Sequence, residues 1–173
     1  MTILETPRLR LRKLRWRDYP ALCKILRDSE VMYAWEGPFS HAEVRSWLKS
    51  QKRNYRNYGF GVWAVILKDS GAMIGQCGLL WREYEGARVP ELSYLFQKAF
   101  WHKGYATEAA IACRDYAFET LGIDEVFSTV RDTNIASQNV AKRCGMTRKG
   151  EIVKHYRGVD MPHYIYSVKR GKG

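Results

Sequence analysis

The N-terminal half of the chain alternates between strand-type and helix-type spacing of its apolar residues. Apolar residues lie two positions apart from Leu9 onward and fill the runs 60–67 and 73–81, which predicts three strands with a tight hairpin between the last two. Spacings of three and four predict a helix over 18–28, whose first residue, an aspartate, can cap it. A second helix begins at a capping box that starts at Ser40, and its basic end is expected to fray. Both faces of the run 60–67 are apolar, which indicates a central strand.

The C-terminal half alternates between short strands and helices and ends in two strands. The predicted elements are a strand over 91–96, a helix over 107–121, a strand over 125–130, a helix over 134–143, and strands over 147–155 and 163–169. Antiparallel hairpins and a strand–helix–strand crossover occur together, so the sheet has to be mixed. We predict an α/β (α+β) fold with one twisted, mixed and mostly antiparallel sheet of about seven strands, flanked by four helices.

Length and composition predict one globular domain. The 173 residues are enough for a single hydrophobic core, so residues 1–173 are expected to form one domain. The sequence begins without an apolar targeting segment and contains no run long enough to span a bilayer, so we expect a cytoplasmic protein without membrane contact. The four cysteines are widely spaced and no histidine motif is present, so we expect reduced, mostly buried cysteines and no metal site.

The net charge of +11 predicts attraction to polyanions such as RNA, the ribosome or coenzyme A. The densest basic run covers residues 8–17, and its start alternates apolar and basic residues. This alternation is typical of a strand with one solvated face, which we favour over a stripe that contacts nucleic acid. Charge alone does not decide among these partners.

Residues 99–110 carry the clearest chemical signal. A short basic loop containing Gly104 leads directly into an alanine-rich helix. Such a helix start presents backbone N–H groups at the positive end of the helix dipole, where phosphate binds. Glycine lets the backbone approach a ligand closely. A plain helix start preceded by a glycine fits the same pattern equally well.

Two further segments give the chain a resemblance to a known family. Residues 5–12 and 134–146, together with 99–110, resemble the GNAT superfamily of N-acetyltransferases, and more narrowly its ribosomal-protein N-terminal acetyltransferase (RimJ/RimL) branch. The resemblance extends from residue 5 to about residue 169. It implies the acyl-CoA N-acyltransferase fold, acetyl-CoA as cosubstrate and a primary amine as acceptor.

By this resemblance, three segments hold coenzyme A. The pyrophosphate loop of the superfamily falls on residues 101–106, where Trp101 departs from the general pattern but suits the RimJ/RimL branch. The pantetheine arm pairs with backbone at the end of the fourth strand, beside a bulge that splays the fourth and fifth strands. Asn134 contacts the same arm, although asparagine is a good helix N-cap in any case. The expected coenzyme-binding residues are Leu95, Phe96, His102, Lys103, Gly104, Tyr105, Ala106, Thr107, Asn134 and Asn139.

Acetyl transfer to an amine requires a base for the amine and a proton for the departing thiolate. Glu91 stands where several superfamily members carry a glutamate general base, and a solvated strand end is the alternative interpretation. The helix tyrosine that many members use as proton donor falls on Ala141, so that group is absent. Ser137 matches a serine of the RimJ/RimL branch and is the expected donor, although a local role at the helix start fits equally well.

The acceptor side is the least defined part of the prediction. The segments 32–39 and 155–160 are rich in aromatic and charged residues, and Glu36 and Glu91 are expected to attract a cationic amine. The resemblance slightly favours a protein N-terminal α-amine, with a small-molecule amine such as a polyamine or antibiotic as the close alternative. A coenzyme A sensor without turnover and a basic RNA- or ribosome-docking module are the alternatives from other classes. Ribosome contact through the basic surface, and a monomer or a homodimer, stay open.

Overall fold

Eight strands of one sheet and four α-helices make up the described part of the chain, which in this computed structural model comprises residues 1–35, 37–156 and 158–171. The strands are β1 (Thr2–Glu5), β2 (Leu9–Lys13), β3 (Val62–Leu67), β4 (Met73–Tyr84), β5 (Ala87–Phe96), β6 (Glu125–Arg131), β7 (Thr147–Tyr156) and β8 (Val159–Lys169). The helices are α1 (Tyr19–Leu26), α2 (His41–Tyr58), α3 (Tyr105–Glu119) and α4 (Ile135–Arg143), with short 3-10 turns at Trp16–Asp18 and Lys98–Phe100.

The sheet is mixed and mostly antiparallel, as predicted. Its strand order is β1-β2-β3-β4-β5-β6-β8-β7. Only β5 and β6 run parallel, because α3 connects them in a strand–helix–strand crossover. The predicted flanking by four helices is confirmed. Strand β1 was not predicted, since its four residues are too few to show a periodic pattern, and it adds an eighth strand at the edge.

Two hydrophobic clusters hold the helices on opposite faces of the sheet. Leu22 of α1 and Leu48 of α2 belong to the cluster that includes Ile66, whereas Ala110 of α3 belongs to the cluster that includes Val65. Val65 and Ile66 are neighbours in β3, and successive strand residues point to opposite faces. The sheet therefore separates an α1–α2 face from an α3–α4 face, and β3 is central as predicted.

The second helix is longer and better anchored than its sequence suggests. The capping box of Ser40 and Glu43 at its start is confirmed, but the basic end does not fray, because α2 continues to Tyr58. Tyr55 explains the difference: it is buried, its hydroxyl donates to the carbonyl of Val62, and the backbone N–H of Leu14 donates to it at 3.1 Å. Basic residues on the solvent side are compatible with a helix whose opposite side is held in the core.

Asp18 does not cap α1 with its side chain, which corrects the prediction. Its carboxylate instead accepts two hydrogen bonds from the Arg12 guanidinium, at 2.8 and 2.9 Å, and one from the backbone N–H of Arg15 at 2.8 Å. Burial alone would raise the pKa of Asp18, but these hydrogen bonds outweigh it and hold the pKa below its usual value. Along β2 the predicted alternation is found, with Leu9 and Leu11 buried on one face and Arg10 exposed on the other, but Arg12 on the second face is partly buried against Asp18.

Candidate active site

A cleft opens where the two parallel strands separate. Strands β5 and β6 are paired only at Glu91 and Phe127, and beyond this point a cavity of about 110 Å³ lies between them. The backbone groups that the two strands direct into this gap have no ladder partner across it. The bulge expected next to Leu95 and Phe96 is absent, because β5 keeps an unbroken register with β4 along residues 75–96. The strands diverge without it.

Four of the predicted site residues line this cleft. They are Glu91, Leu95, Asn134 and Ser137. The side chain of Phe96 is buried instead, and its ring lies against Gly75, where a Cβ atom would come within 2.5 Å of it. The side chain of Phe96 therefore does not reach the cleft.

Glu91 lies at the closed end of the cleft, on the sheet face that carries α1 and α2. Its residue is 8% exposed, so it is not a solvated strand end. Its carboxylate accepts a hydrogen bond from Thr129 Oγ1 at 2.8 Å and forms an ion pair with the Arg82 guanidinium. These two partners hold the carboxylate in one orientation.

Ser137 lies in the first turn of α4 and faces Tyr94 of β5. Ser137 Oγ donates to Tyr94 Oη at 3.1 Å, and the Tyr94 hydroxyl donates to the Ser137 carbonyl at 2.9 Å. Burial raises the pKa of Tyr94, so its hydroxyl keeps its proton. Sequence patterns did not single out Tyr94, because only the packing of α4 against β5 brings the two hydroxyls together.

The other predictions for α4 and its N-cap, which concern Asn134, Asn139 and Ala141, have different outcomes. Asn134 is the N-cap, as expected, and its side chain accepts a hydrogen bond from the Ser137 backbone N–H at 3.1 Å. Asn139 is partly buried and does not line the cleft. Ala141 is fully buried in the α3–α4 cluster, which leaves a tyrosine at this position no room without repacking.

The phosphate-type loop lies at the start of α3, which begins two residues earlier than predicted. Gly104 is the N-cap with φ of 79°, and His102 also adopts the left-handed conformation, with φ of 63°. The first backbone hydrogen bond of the helix runs from Glu108 to Gly104 at 3.0 Å. The N–H groups of residues 105–107 therefore have no acceptor within the helix and are available to an anion.

The N-terminal segment braces this loop, a role that sequence reasoning did not assign. Arg8 donates to the Glu108 carboxylate from Nε at 2.8 Å and from its backbone N–H at 3.0 Å, and the Thr6 hydroxyl donates to the same carboxylate. Arg8 Nη1 also donates to the carbonyl of Lys103 at 2.9 Å, and its guanidinium lies 4.3 Å from the centre of the Tyr105 ring. One end of the basic run thus supports the loop directly.

The loop is also tied to the cleft. The indole Nε1 of Trp101 donates to the carbonyl of Phe96 at 3.0 Å, which joins the residue that opens the loop to the end of β5. Lys103 lies over the Phe100 ring with its Nζ 5.8 Å from the ring centre, while His102, Lys103 and Gly104 are exposed. A ligand can therefore extend from the start of α3 into the gap between the strands.

Both predicted acceptor segments contribute to the cleft, to different extents. The first contributes Ala34 and Trp35, and the second contributes only Tyr156. His155 and Asp160 form an exposed pair at the tip of the β7–β8 hairpin, away from the cleft lining. Glu36, expected to attract a cationic amine, and position 157 of the second segment lie outside the described residues.

Neither a metal centre nor a membrane span is found within residues 1–35, 37–156 and 158–171. No three histidine, cysteine, aspartate or glutamate side chains gather there into a cluster that could hold a metal ion. No helix of this part is long and apolar enough to cross a bilayer. The four cysteines are free, and three of them are buried, as predicted.

Comparison with known proteins decides the family. Residues 8–147 match the family model described as an acetyltransferase (GNAT) domain. The chain belongs to the GNAT acetyltransferase family. The protein is accordingly an acyltransferase enzyme, and the cleft between β5 and β6 is its candidate active site.

Two relatives illustrate how far the likeness of this GNAT acetyltransferase extends. It is similar to YkkB of Bacillus subtilis (strain 168), with 36% identity over 146 residues, which cover 84% of this chain and 85% of YkkB. It is also similar to the FsC-acetyl coenzyme A-N(2)-transacetylase of Aspergillus fumigatus, with 30% identity over 182 residues, which cover 96% of this chain and 76% of the relative.

Solved structures share the whole fold. An acetyltransferase from Agrobacterium tumefaciens str. C58 has a TM-score of 0.80 at 29% identity, covering 96% of this chain and 94% of that one. RimL, a ribosomal α-N-protein acetyltransferase in complex with coenzyme A, has a TM-score of 0.77 at 18% identity, covering 98% of each chain. The second likeness concerns the fold alone.

Proposed function

We propose that this enzyme transfers an acetyl group from acetyl-CoA to a primary amine, using one domain formed by residues 1–173. The observation that supports this most is that the Trp101–Phe96 hydrogen bond holds the start of α3 at the end of β5, the strand that carries Glu91. The N–H groups of residues 105–107 suit the pyrophosphate, and the unpaired backbone of the gap suits the amide-containing pantetheine arm. The cleft also holds the buried carboxylate of Glu91, where the acetyl group would meet its acceptor.

Each side chain at the closed end then has a chemical role. Acetyl-CoA supplies an acetyl group activated as a thioester, and coenzyme A departs as a thiolate. Glu91 takes the proton of the attacking amine, directly or through water, while Thr129 and Arg82 hold its carboxylate in place. Ser137, hydrogen-bonded to the Tyr94 hydroxyl, relays a proton from water to the thiolate, so that the serine recovers from water the proton that it gives.

The acceptor that we prefer is a protein N-terminal α-amine. Support comes from the resemblance to the RimJ/RimL branch and from the fold shared with RimL, whose name states that chemistry. An α-amine has a reference pKa of about 7.7 to 8.0, against about 10.4 for lysine, so a carboxylate base deprotonates it more readily near neutral pH. A small-molecule amine is the second candidate, because the cavity volume of about 110 Å³ matches a small acceptor.

Calorimetry and a rate assay test this proposal together. Acetyl-CoA should bind to the purified protein, and a panel of N-terminal peptides, amino acids, polyamines and aminoglycosides should reveal amine-dependent release of free thiol. Binding without turnover of any amine would support the alternative of a coenzyme A sensor. Absence of acetyl-CoA binding would contradict the proposal altogether.

A further inference from the structure

The cleft carries more positive charge than the binding of acetyl-CoA requires. Three cationic side chains line this cleft: Arg82 on β4, Arg131 at the end of β6 and Lys154 on β7. Glu91 is the sole acidic side chain among the described lining residues, so three cations face one carboxylate. The phosphates of the coenzyme would bind elsewhere, at the start of α3, and the pantetheine arm is uncharged.

The positive charge of Arg82 is compensated by its ion pair with Glu91, whereas Lys154 forms no ion pair with this carboxylate. Lys154 is partly buried, and no carboxylate of the described residues forms an ion pair with it. Burial and the nearby charge of Arg82 together lower the pKa of Lys154 to about 8, because Glu91 opposes the shift only in part. An anion beside Lys154 would stabilise its charged form.

Arg131 has an incomplete set of partners as well. Its Nη1 donates to the carbonyl of Tyr33 at 3.0 Å, and its guanidinium lies 5.5 Å from the centre of the Tyr33 ring. Its Nε is buried, and no acceptor among the described residues reaches it. A buried cationic donor without an acceptor is unfavourable. Because Arg131 also lines the cleft, an anion bound there would compensate its charge.

The same region disfavours an additional positive charge. His163 of β8 lies opposite Arg131 of β6. Burial lowers the pKa of His163, and the charges of Lys154 and Arg82 lower it further. A hydrogen bond to the carbonyl of Met161 opposes this shift. A polycationic acceptor would meet these like charges in a small, partly enclosed space.

We propose that the acceptor is a primary amine with a carboxylate a few bonds from the amine, and that Lys154 and Arg131 bind this carboxylate. The inference rests on the proposed function and narrows it. Free amino acids and acidic peptide N-termini share this chemistry, whereas polyamines and aminoglycosides do not. Charge-assisted hydrogen bonds to the carboxylate would orient the amine towards Glu91.

Matched probes on the unmodified protein give the first test. L-Serine is compared with L-serinamide, and the peptide Ser-Asp-Phe-amide with Ser-Asn-Phe-amide, using thiol release at saturating acetyl-CoA. We expect kcat/KM to favour the carboxylate member of at least one pair by about ten- to a hundredfold, the usual worth of a hydrogen bond between charged groups. The pair that responds distinguishes a free amino acid from a peptide.

Two variants then assign the preference to the cleft. Lys154→Met should reduce the preference for the carboxylate probe about tenfold, mainly through KM, and Lys154→Arg should retain most of it. Lys49→Met is the matched control, because Lys49 is exposed on α2 away from the cleft, and its preference should equal that of the unmodified protein.

The outcomes separate the two proposals. Equal kcat/KM values within both pairs, or faster turnover of the neutral members, overturn the anionic acceptor while acetyl transfer itself stands. A preference that persists in Lys154→Met, or that falls equally in Lys49→Met and Lys154→Met, overturns the assigned binding site. Failure of every amine to react, together with no calorimetric binding of acetyl-CoA, overturns the proposed function and this inference with it.

Discussion

The substitution Glu91→Gln tests the proposed base with little disturbance of the fold. Glutamine has nearly the same size, and it can still accept the hydrogen bond from Thr129, which is 2.8 Å long in the native protein. The change removes the negative charge that pairs with Arg82 and the capacity to take a proton. Turnover should therefore fall about 10²-fold or more, the usual contribution of a positioned general base.

The effect on stability should be small by comparison. The Arg82 side chain is 31% exposed, so water can solvate the guanidinium once its partner is neutral. We expect a loss of about 1 kcal/mol in the free energy of unfolding, nearer to the value of an exposed ion pair than to that of a buried one. Affinity for acetyl-CoA should stay within about twofold, because the start of α3 and the gap between β5 and β6 are unchanged.

The assay is single-turnover acetyl transfer from pH 5 to pH 9, with calorimetric binding and thermal melting on the same preparation. The unmodified enzyme should lose activity as the pH falls and the base becomes protonated, and Glu91→Gln should lack this acidic limb. Glu83→Gln is the matched control, because Glu83 is exposed on β4 and outside the cleft. A near-normal rate with the acidic limb retained in Glu91→Gln would refute the base assignment.

Four further substitutions test other parts of the site and the fold. Gly104→Val should abolish measurable acetyl-CoA binding, whereas Gly122→Val, at a similar φ of 68° in open space, should cost comparable stability and leave binding intact, as seen by calorimetry and melting. Ser137→Ala and Tyr94→Phe should each slow single turnover about tenfold without changing coenzyme affinity. If the two hydroxyls act as a unit, the double variant should be no slower than either single variant. Unchanged rates would remove both residues from the mechanism. Asp18→Asn should cost about 1 to 2 kcal/mol at pH 7, and the difference should shrink as the pH falls through the lowered pKa of Asp18, because that carboxylate stabilises the fold only while ionised; equal losses at pH 7 and pH 3 would contradict this.

Local patterns predicted the elements that depend on neighbouring residues. The capping box at Ser40 and the glycine at the start of α3 are found as expected, since both depend on backbone groups within four residues. The predictions for the end of α2 and for the role of Asp18 were wrong, because both depend on residues in other elements. Tyr55 is anchored by residues of β3 and of the β2–α1 connection, and Asp18 is held largely by Arg12 of β2.

The candidate site shows the same division at the level of single side chains. By itself the sequence determined a helix start suited to an anion, and by resemblance it named Glu91, Asn134 and Ser137, all of which line the cleft. The tertiary structure alone brought Tyr94 to Ser137 and placed three cations from separate strands in the same cleft as Glu91. Periodicity records which side of an element is buried, but contacts between side chains far apart in the chain depend on strand order and on where β5 and β6 separate, and no local pattern contains that information.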